Sequence, residues 1–364
     1  MSQPDAPNSR QVQRAAQHWD RATLQHWKSG TGLYWTDLEP VRRRLRRMAS
    51  GSPEVDWDEY VVSTYLCGRV PLARILSLGC GEGILERRLA GMNVFNECDA
   101  FDISPVALQR ARESANSLGL HTIRYQHADL NAITLPHQAY DAAFAESSLH
   151  HIHNLEHLLQ QVRASLVPGG WFFANEYVGP SRFQFPAAQL QAMNTALHLL
   201  PERYRVSIRC ANPDLAPTQE AVGTLFLRLL ARLRSGGILS ALGRRAKRIL
   251  RRSAGRPILK ERIRRPDILQ LRISDPSEAV RSAEIIPLLG RFFQVVEVRP
   301  LGGSLLHFLL DDIAGNFNPS LSQDMALLEM LFGIEDALIA AGVLGHDFAV
   351  LVCRKPAEGE SSCG

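Results

Sequence analysis

The stretch Ile75-Leu76-Ser77-Leu78-Gly79-Cys80-Gly81-Glu82-Gly83 decides how the rest of this chain reads. A short apolar run ending in alternating glycines is the pattern of a strand entering a tight turn, where backbone without Cβ atoms can approach a ligand. Ile84–Ala90 continues as a helix, and Glu97–Asp102 is a second short strand. Its terminal carboxylate, Asp102, falls nineteen residues after Gly83. Ligands of open α/β sheets bind beyond the carboxyl ends of strands, and the glycine turn and Asp102 both belong there. A carboxylate in that place can accept both hydrogen bonds from a ribose diol.

Outward from this stretch the strand–helix rhythm holds. Ser104 and Pro105 supply an N-cap and a first-turn proline for a helix running to Leu118. Thr122–His127, Tyr140–Ala145 and Trp171–Glu176 read as strands, and Leu155–Leu166 as a helix closed by Pro168-Gly169-Gly170. Repeated units of this kind imply a mainly parallel sheet with helices on both faces. Residues 178–275 break the rhythm and read as a mostly helical insertion. A helix over Pro276–Leu289, a strand over Phe292–Val298, a helix over Leu321–Ala341 and a last strand over Phe348–Arg354 then resume it. The expected organisation is therefore an N-terminal helical extension (1–70), a cofactor-binding core (71–177), a helical cap insertion (178–275) and a C-terminal completion of the core sheet (276–364). The extension is rich in aromatics, among them Trp19, Trp35 and Trp57, and reads equally as a packed appendage or as a lid.

A glycine turn alone does not choose its ligand. This one is GxGxG, not the GxGxxG of the dinucleotide fingerprint, and it lacks the Lys-Ser/Thr of a phosphate loop. Glu82 inside it disfavours a pyrophosphate and tolerates a cation. Two other classes stay open at this point: an NAD(P)-dependent oxidoreductase, and a non-catalytic membrane- or RNA-associated protein that keeps a cofactor fold.

Five segments in order resemble the motifs of class I S-adenosylmethionine-dependent methyltransferases: Leu78–Gly83, Phe101-Asp102-Ile103-Ser104-Pro105, His127-Ala128-Asp129-Leu130, Ser147–Ile152 and Leu166-Val167-Pro168-Gly169-Gly170. The resemblance implies S-adenosyl-L-methionine as cofactor. It also implies a Rossmann-like α/β fold, a seven-stranded mainly parallel sheet with an antiparallel last strand. By it, Gly79, Cys80, Gly81 and Gly83 pack near the methionyl part, Asp102 holds the ribose, Ile103 flanks the adenine, and Asp129 with Leu130 reads its edge. Asp275–Ser282 and Gly302–Leu306 are similar to bacterial methyltransferases of glycan or secondary-metabolite pathways, of the type 11/12 kind. That points to a small-molecule, glycan or lipid-linked acceptor and to O-methylation, with C-methylation as the alternative.

Methyl transfer needs chiefly the positioning of two reactants, and a hydroxyl acceptor also needs a base. The ends of the fourth and fifth strands offer Glu146, His150, His151, Glu176 and Tyr177. His151 is the first choice as base because histidine titrates near neutrality; the plainer alternative is a histidine that packs the next helix. Glu176 is a candidate for orienting a substrate hydroxyl, and Glu146 for catalysis or for the cofactor's amino end. Tyr177, Arg182 and Phe183, just past the strand, are the candidates for contacting the acceptor. Asn175-Glu176-Tyr177 is not the Asn/Asp-Pro-Pro-Tyr/Phe motif of amino methyltransferases of nucleic acids and proteins. No Cys/His spacing fits a zinc site, and His151-x-His153 supplies only two ligands, so no metal is expected.

The net charge of +4 hides an uneven distribution. Residues 228–265 hold fourteen Lys or Arg and one acid, a net +13, which leaves −9 on the remainder. Leucines and isoleucines interleave with these charges, so the segment reads as basic amphipathic helices. It is either a solvated face or a contact for an anionic membrane surface. No aromatic falls within it, which argues against nucleic acid. The polar start of the chain and the lack of a ~20-residue apolar run point to a cytoplasmic location, peripheral at the inner membrane surface if the basic segment binds lipid.

Overall fold

In a computed structural model, which describes residues 9–24, 31–212 and 256–357, the strands are β1 (Leu72–Leu78), β2 (Phe95–Asp102), β3 (Ile123–His127), β4 (Tyr140–Glu146), β5 (Leu166–Tyr177), β6 (Gln294–Pro300) and β7 (Phe348–Arg354). They form one sheet in the order β3-β2-β1-β4-β5-β7-β6. β1 to β5 are parallel, and β7 lies antiparallel between β5 and β6. This is the sheet that the motifs imply. β1 has β2 on one side and β4 on the other, so the winding reverses there. At such a switch point the loops leaving neighbouring strands diverge and open a crevice.

The central strands bury both faces, which is why they read as continuous apolar runs. From β4, Ala142 and Phe144 face one layer with Ile75 and Phe173. Ala143 and Ala145 face the other with Leu76 and Phe172. The helices are α1 (Ser9–Leu24), α2 (Glu39–Ser50), α3 (Trp57–Tyr65), α4 (Ile84–Gly91), α5 (Pro105–Ser117), α6 (Leu155–Ser165) and α7 (Ala187–Leu199), followed by shorter ones and a long helix at Ser322–Ala340. Leu85, Leu89, Leu108 and Ala111 of α4 and α5 cover the first face, together with Trp57 and Val61 of α3. Leu155, Leu158 and Val162 of α6 cover the second, with Ile285 and Leu288 of the helix at Ile285–Phe292. The proposed start of α5 is present: Ser104 Oγ accepts from Ala107 N at 3.1 Å, ahead of Pro105.

The extension divides. α3 packs on the sheet, with Tyr60 and Tyr65 both donating to Glu297 of β6. α1 instead lies over α5: Asp20 accepts from Ser104 Oγ at 2.6 Å, and Arg110 donates to the carbonyl of Thr23 at 2.5 Å.

Past β5, a third apolar cluster joins α7, Tyr204 and Ile263 to Leu305, Leu306, Leu309 and Leu310 and to Leu328 and Leu331. The cap is therefore not confined to 178–275. Its core is completed by segments that the sequence assigned to the sheet.

The helix expected over Pro276–Leu289 is a correction. Residues 276–281 form turns, Ser282–Glu284 a single 3-10 turn, and the helix begins at Ile285. Asp275 Oδ1 takes the N–H of Ser277 at 2.8 Å and its hydroxyl at 2.6 Å, and Ala279 has φ 45°. Val280 N then donates to the carbonyl of His150 at 2.9 Å, which pulls the segment against the end of β4. Local side-chain bonds of this kind compete with a helix and here prevail.

Most of the basic segment lies outside the described residues. Within its described part, Lys260 is engaged, donating to the carbonyls of Phe308 at 2.7 Å and Leu309 at 3.2 Å. Among the described residues no helix is long and apolar enough to cross a membrane.

Candidate functional site

A cavity of about 520 Å³ opens at the carboxyl ends of β1, β2 and β4. That is within the usual range for sites that bind small molecules or cofactors. The glycine turn forms its floor. Gly79 has φ 68°, and a Cβ there would lie 2.4 Å from Ser148 Cβ, so the β1 and β4 loops touch only because this residue has no side chain. At Gly81, φ is 52° and a Cβ would meet nothing within 4 Å; the backbone faces open space.

Asp102 ends β2 as the spacing required. Its Oδ2 accepts from Gly81 N and its Oδ1 from Ser104 N, both at 2.8 Å. Burial pushes its pKa up, and those backbone donors oppose the shift. Each carboxylate oxygen keeps further acceptor capacity, which suits a diol. Ile103, Asp129 and Leu130 line the same cavity. Asp129 Oδ1 fixes its own loop by accepting from Asn131 N at 2.9 Å. Glu146 lines the deep end, where Trp57 Nε1 donates to it at 2.8 Å and burial raises its pKa. Glu86, on α4, was not singled out from the sequence. It is fully buried, bonded to Ser77 Oγ, and pushed by burial to about 7. Its position one turn past the glycines was the available signal.

The described lining holds five carboxylates, Glu82, Glu86, Asp102, Asp129 and Glu146, and no lysine or arginine. α1 supplies another wall through Gln11, Val12, Ala15, Trp19 and Thr23, so this part of the extension does lie over the site. Sequence reading left lid and packing open, because an aromatic on an amphipathic helix looks the same in either case.

At the β4 end the two adjacent histidines differ. His151 lines the cavity, with Trp19 edge-on at 4.9 Å and Ser277 Oγ 3.3 Å from its Nδ1. Burial, followed by the nearby imidazoles of His150 and His18, holds its pKa well below the usual histidine value. His150 faces inward, its Nδ1 2.8 Å from Glu176 Oε2. Burial works against its protonation, but the Glu176 carboxylate outweighs burial and raises its pKa. Glu176 is fully buried and does not reach the cavity; its Oε1 accepts from the N–H groups of Ser148 and Leu149, each at 2.7 Å. It holds the loop and His150 in place and is not positioned to orient a substrate hydroxyl.

The three acceptor candidates also lie elsewhere than expected. Tyr177 and Phe183 are packed in the third apolar cluster. Arg182 donates to the carbonyls of Glu278 at 3.0 Å and Pro276 at 2.6 Å. None of the three lines the cavity. Arg182 acts on its shape indirectly, because Pro276 and Ser277 form the wall beside His151. A strand end was a fair place to look for acceptor contacts, but the chain turns away there to found the cap core.

The sheet order, the glycine turn and the carboxylate beyond β2 define a class I S-adenosylmethionine-dependent methyltransferase domain. Residues 75–170 match the model of a methyltransferase domain family. An uncharacterized methyltransferase of Mycobacterium bovis is 35% identical over 31% of this chain and 55% of its own length. The chain thus spans about half of that relative. A mouse protein, EEF1A lysine methyltransferase 4, is 25% identical over 50% of this chain and 68% of its own length. The 27-O-demethylrifamycin SV methyltransferase of Amycolatopsis mediterranei is 30% identical over 29% of this chain and 40% of its own length.

Proposed function

We propose that this protein methylates a hydroxyl of a small-molecule, glycan or lipid-linked acceptor. The observation that carries the reading is the charge of the cavity: five carboxylates and no basic side chain among its described lining residues. Such a lining favours a cationic ligand with a ribose and disfavours the pyrophosphate of a dinucleotide. S-adenosylmethionine, when bound, supplies a methyl group already activated on a sulfonium. Asp102 would hold the ribose, Asp129 and Leu130 the adenine, and Glu86 and Glu146 would face the cationic end.

Hydroxyl acceptors must lose a proton as the new O–C bond forms. His151 suits that task, since burial keeps its imidazole neutral and able to accept. Ser277 on one side and Trp19 on the other fix its ring, and Glu176 fixes the loop behind it. The rifamycin relative, by its name, acts on an O-demethylated compound, which supports an oxygen acceptor; the mouse relative's name gives a lysine instead.

Calorimetry tests the cofactor half. S-adenosylhomocysteine should bind at one per chain and NAD⁺ should not; no heat with S-adenosylhomocysteine would sink the reading. Methyl-labelled S-adenosylmethionine offered with phenols, sugars, hydroxylated lipids and a lysine peptide tests the acceptor half. Label appearing only on the peptide would rule out the hydroxyl.

A further inference from the structure

Three segments remote in sequence bring histidines and carboxylates together behind the His151 wall. His18 comes from α1, His150 and His151 from the end of β4, and Asp275 and Glu278 from the turn that precedes the helix at Ile285–Phe292. One ligating atom from each of His150, His151 and Glu278 lies within 4.8 Å of the others. His150 Nε2 is 4.0 Å from Glu278 Oε1. His151 Nδ1 and His18 Nε2 are each 3.9 Å from Asp275 Oδ2. That oxygen is buried, on a residue only 3% exposed, and has no hydrogen-bond partner. An orphaned carboxylate oxygen in such a place is costly unless something cationic meets it.

The spacings point to what that is. Separations near 4 Å are too long for hydrogen bonds. They approach the distance between two ligands on one ion, each bonded at roughly 2.0–2.2 Å. Glu176, Asp275 and Glu278 supply three carboxylates, and the Arg182 guanidinium beside them directs its hydrogen bonds to backbone carbonyls, not to these oxygens. His150 is already arranged as a ligand: its Nδ1 is tied to Glu176, which leaves Nε2 directed at Glu278. A carboxylate behind an imidazole is the usual support of a metal-bound histidine.

We propose that His150, His151, Asp275 and Glu278 hold one divalent transition-metal ion, with His18 closing the site from α1. Imidazole and carboxylate ligands favour Zn²⁺, Fe²⁺ or Mn²⁺ over Mg²⁺ and Ca²⁺. The ion would sit beside the acceptor wall of Pro276 and Ser277, so its use in the reaction rests on the function proposed above; its binding does not. With the ion bound, His151 would serve as a ligand in place of the base role, and the ion would brace the Pro276–Ser277 wall of the cavity.

The test uses the full chain without a histidine tag, stripped with chelator and titrated with Zn²⁺, Mn²⁺ and Mg²⁺. One equivalent of Zn²⁺ or Mn²⁺ should bind, and more tightly than Mg²⁺. Asp275→Asn and Glu278→Gln should each weaken it by roughly ten- to a hundredfold, and His18→Ala by about tenfold. S-adenosylhomocysteine binding, which these residues do not line, reports that each variant is folded. Absence of a stoichiometric ion in the wild type would overturn the proposal and leave the cluster as an internal ion pair. So would wild-type affinity in both carboxylate variants. Loss of S-adenosylhomocysteine binding by the wild type would count against the function but not against the metal.

Discussion

The two ends of the cavity are built in opposite ways. At the β1–β2 end, Asp102 is met by backbone N–H groups of Gly81 and Ser104, close by in the chain. At the β4–β5 end, His150 meets Glu176 and Glu278, and His151 meets Ser277 across a sequence separation of 126. The first arrangement needs only a strand, a glycine turn and a second strand. The second exists only after the cap has folded and returned residues 275–281 to the sheet. The β1–β2 end is built by local geometry, whereas the β4–β5 end depends on contacts between segments remote in sequence.

The largest effect expected from breaking this contrast is at the local end. Asp102→Ala should weaken S-adenosylhomocysteine binding roughly a hundredfold, since two hydrogen bonds to a charged acceptor are lost. An affinity within threefold of wild type would remove Asp102 from the site. At the remote end the expected signature is in stability against pH. His307 sits among Trp35, Tyr177 and Phe348 in the cap core, and burial lowers its pKa to about 4. A histidine whose folded pKa lies below its unfolded value of about 6.5 stabilises fully only above that value, and stability falls as pH drops from there toward 4. His307→Phe should therefore spare the cap about 2 kcal/mol of loss between pH 7.5 and pH 5. Urea midpoints of the two proteins at both pH values check this; parallel losses would refute it. The smallest effect belongs to Trp19, which reaches from α1 to His151. Trp19→Ala should weaken S-adenosylhomocysteine about tenfold, or ~1.4 kcal/mol. No change would mean that α1 touches the acceptor end alone.

The same contrast decides what the sequence could say. The core sheet was legible from periodicity and turn chemistry, down to the Ser104 cap and the antiparallel β7. That Gly79, Gly81, Asp102 and Asp129 would share one cavity was legible because each lies at or just past the end of a strand. Tyr177, Arg182 and Phe183 were placed by proximity to β5, but apolar side chains there were drawn into the cap core, and the guanidinium was drawn onto the carbonyls of 276 and 278. His150, Glu176, Asp275 and Glu278 form one cluster whose members lie up to 128 positions apart. Nothing in a local pattern ties such residues together, even where Asp275–Ser282 stands out as a motif. The absence of a zinc-like spacing likewise spoke only to ligands neighbouring in sequence.

β7 comes last in the chain order of the strands yet lies inside the sheet, between β5 and β6. During synthesis the ribosome releases β1 to β5 first, and until residues 348–354 emerge β5 remains an open edge carrying Phe172 and Phe173. β6 has no partner at all in that interval, because β7 is the strand it pairs with. The glycine-turn floor is complete early, but the strands that flank β5 are a late event of translation. A truncation or stall just short of residue 348 would leave a nascent chain able to form the glycine turn while exposing the edge most prone to aggregate.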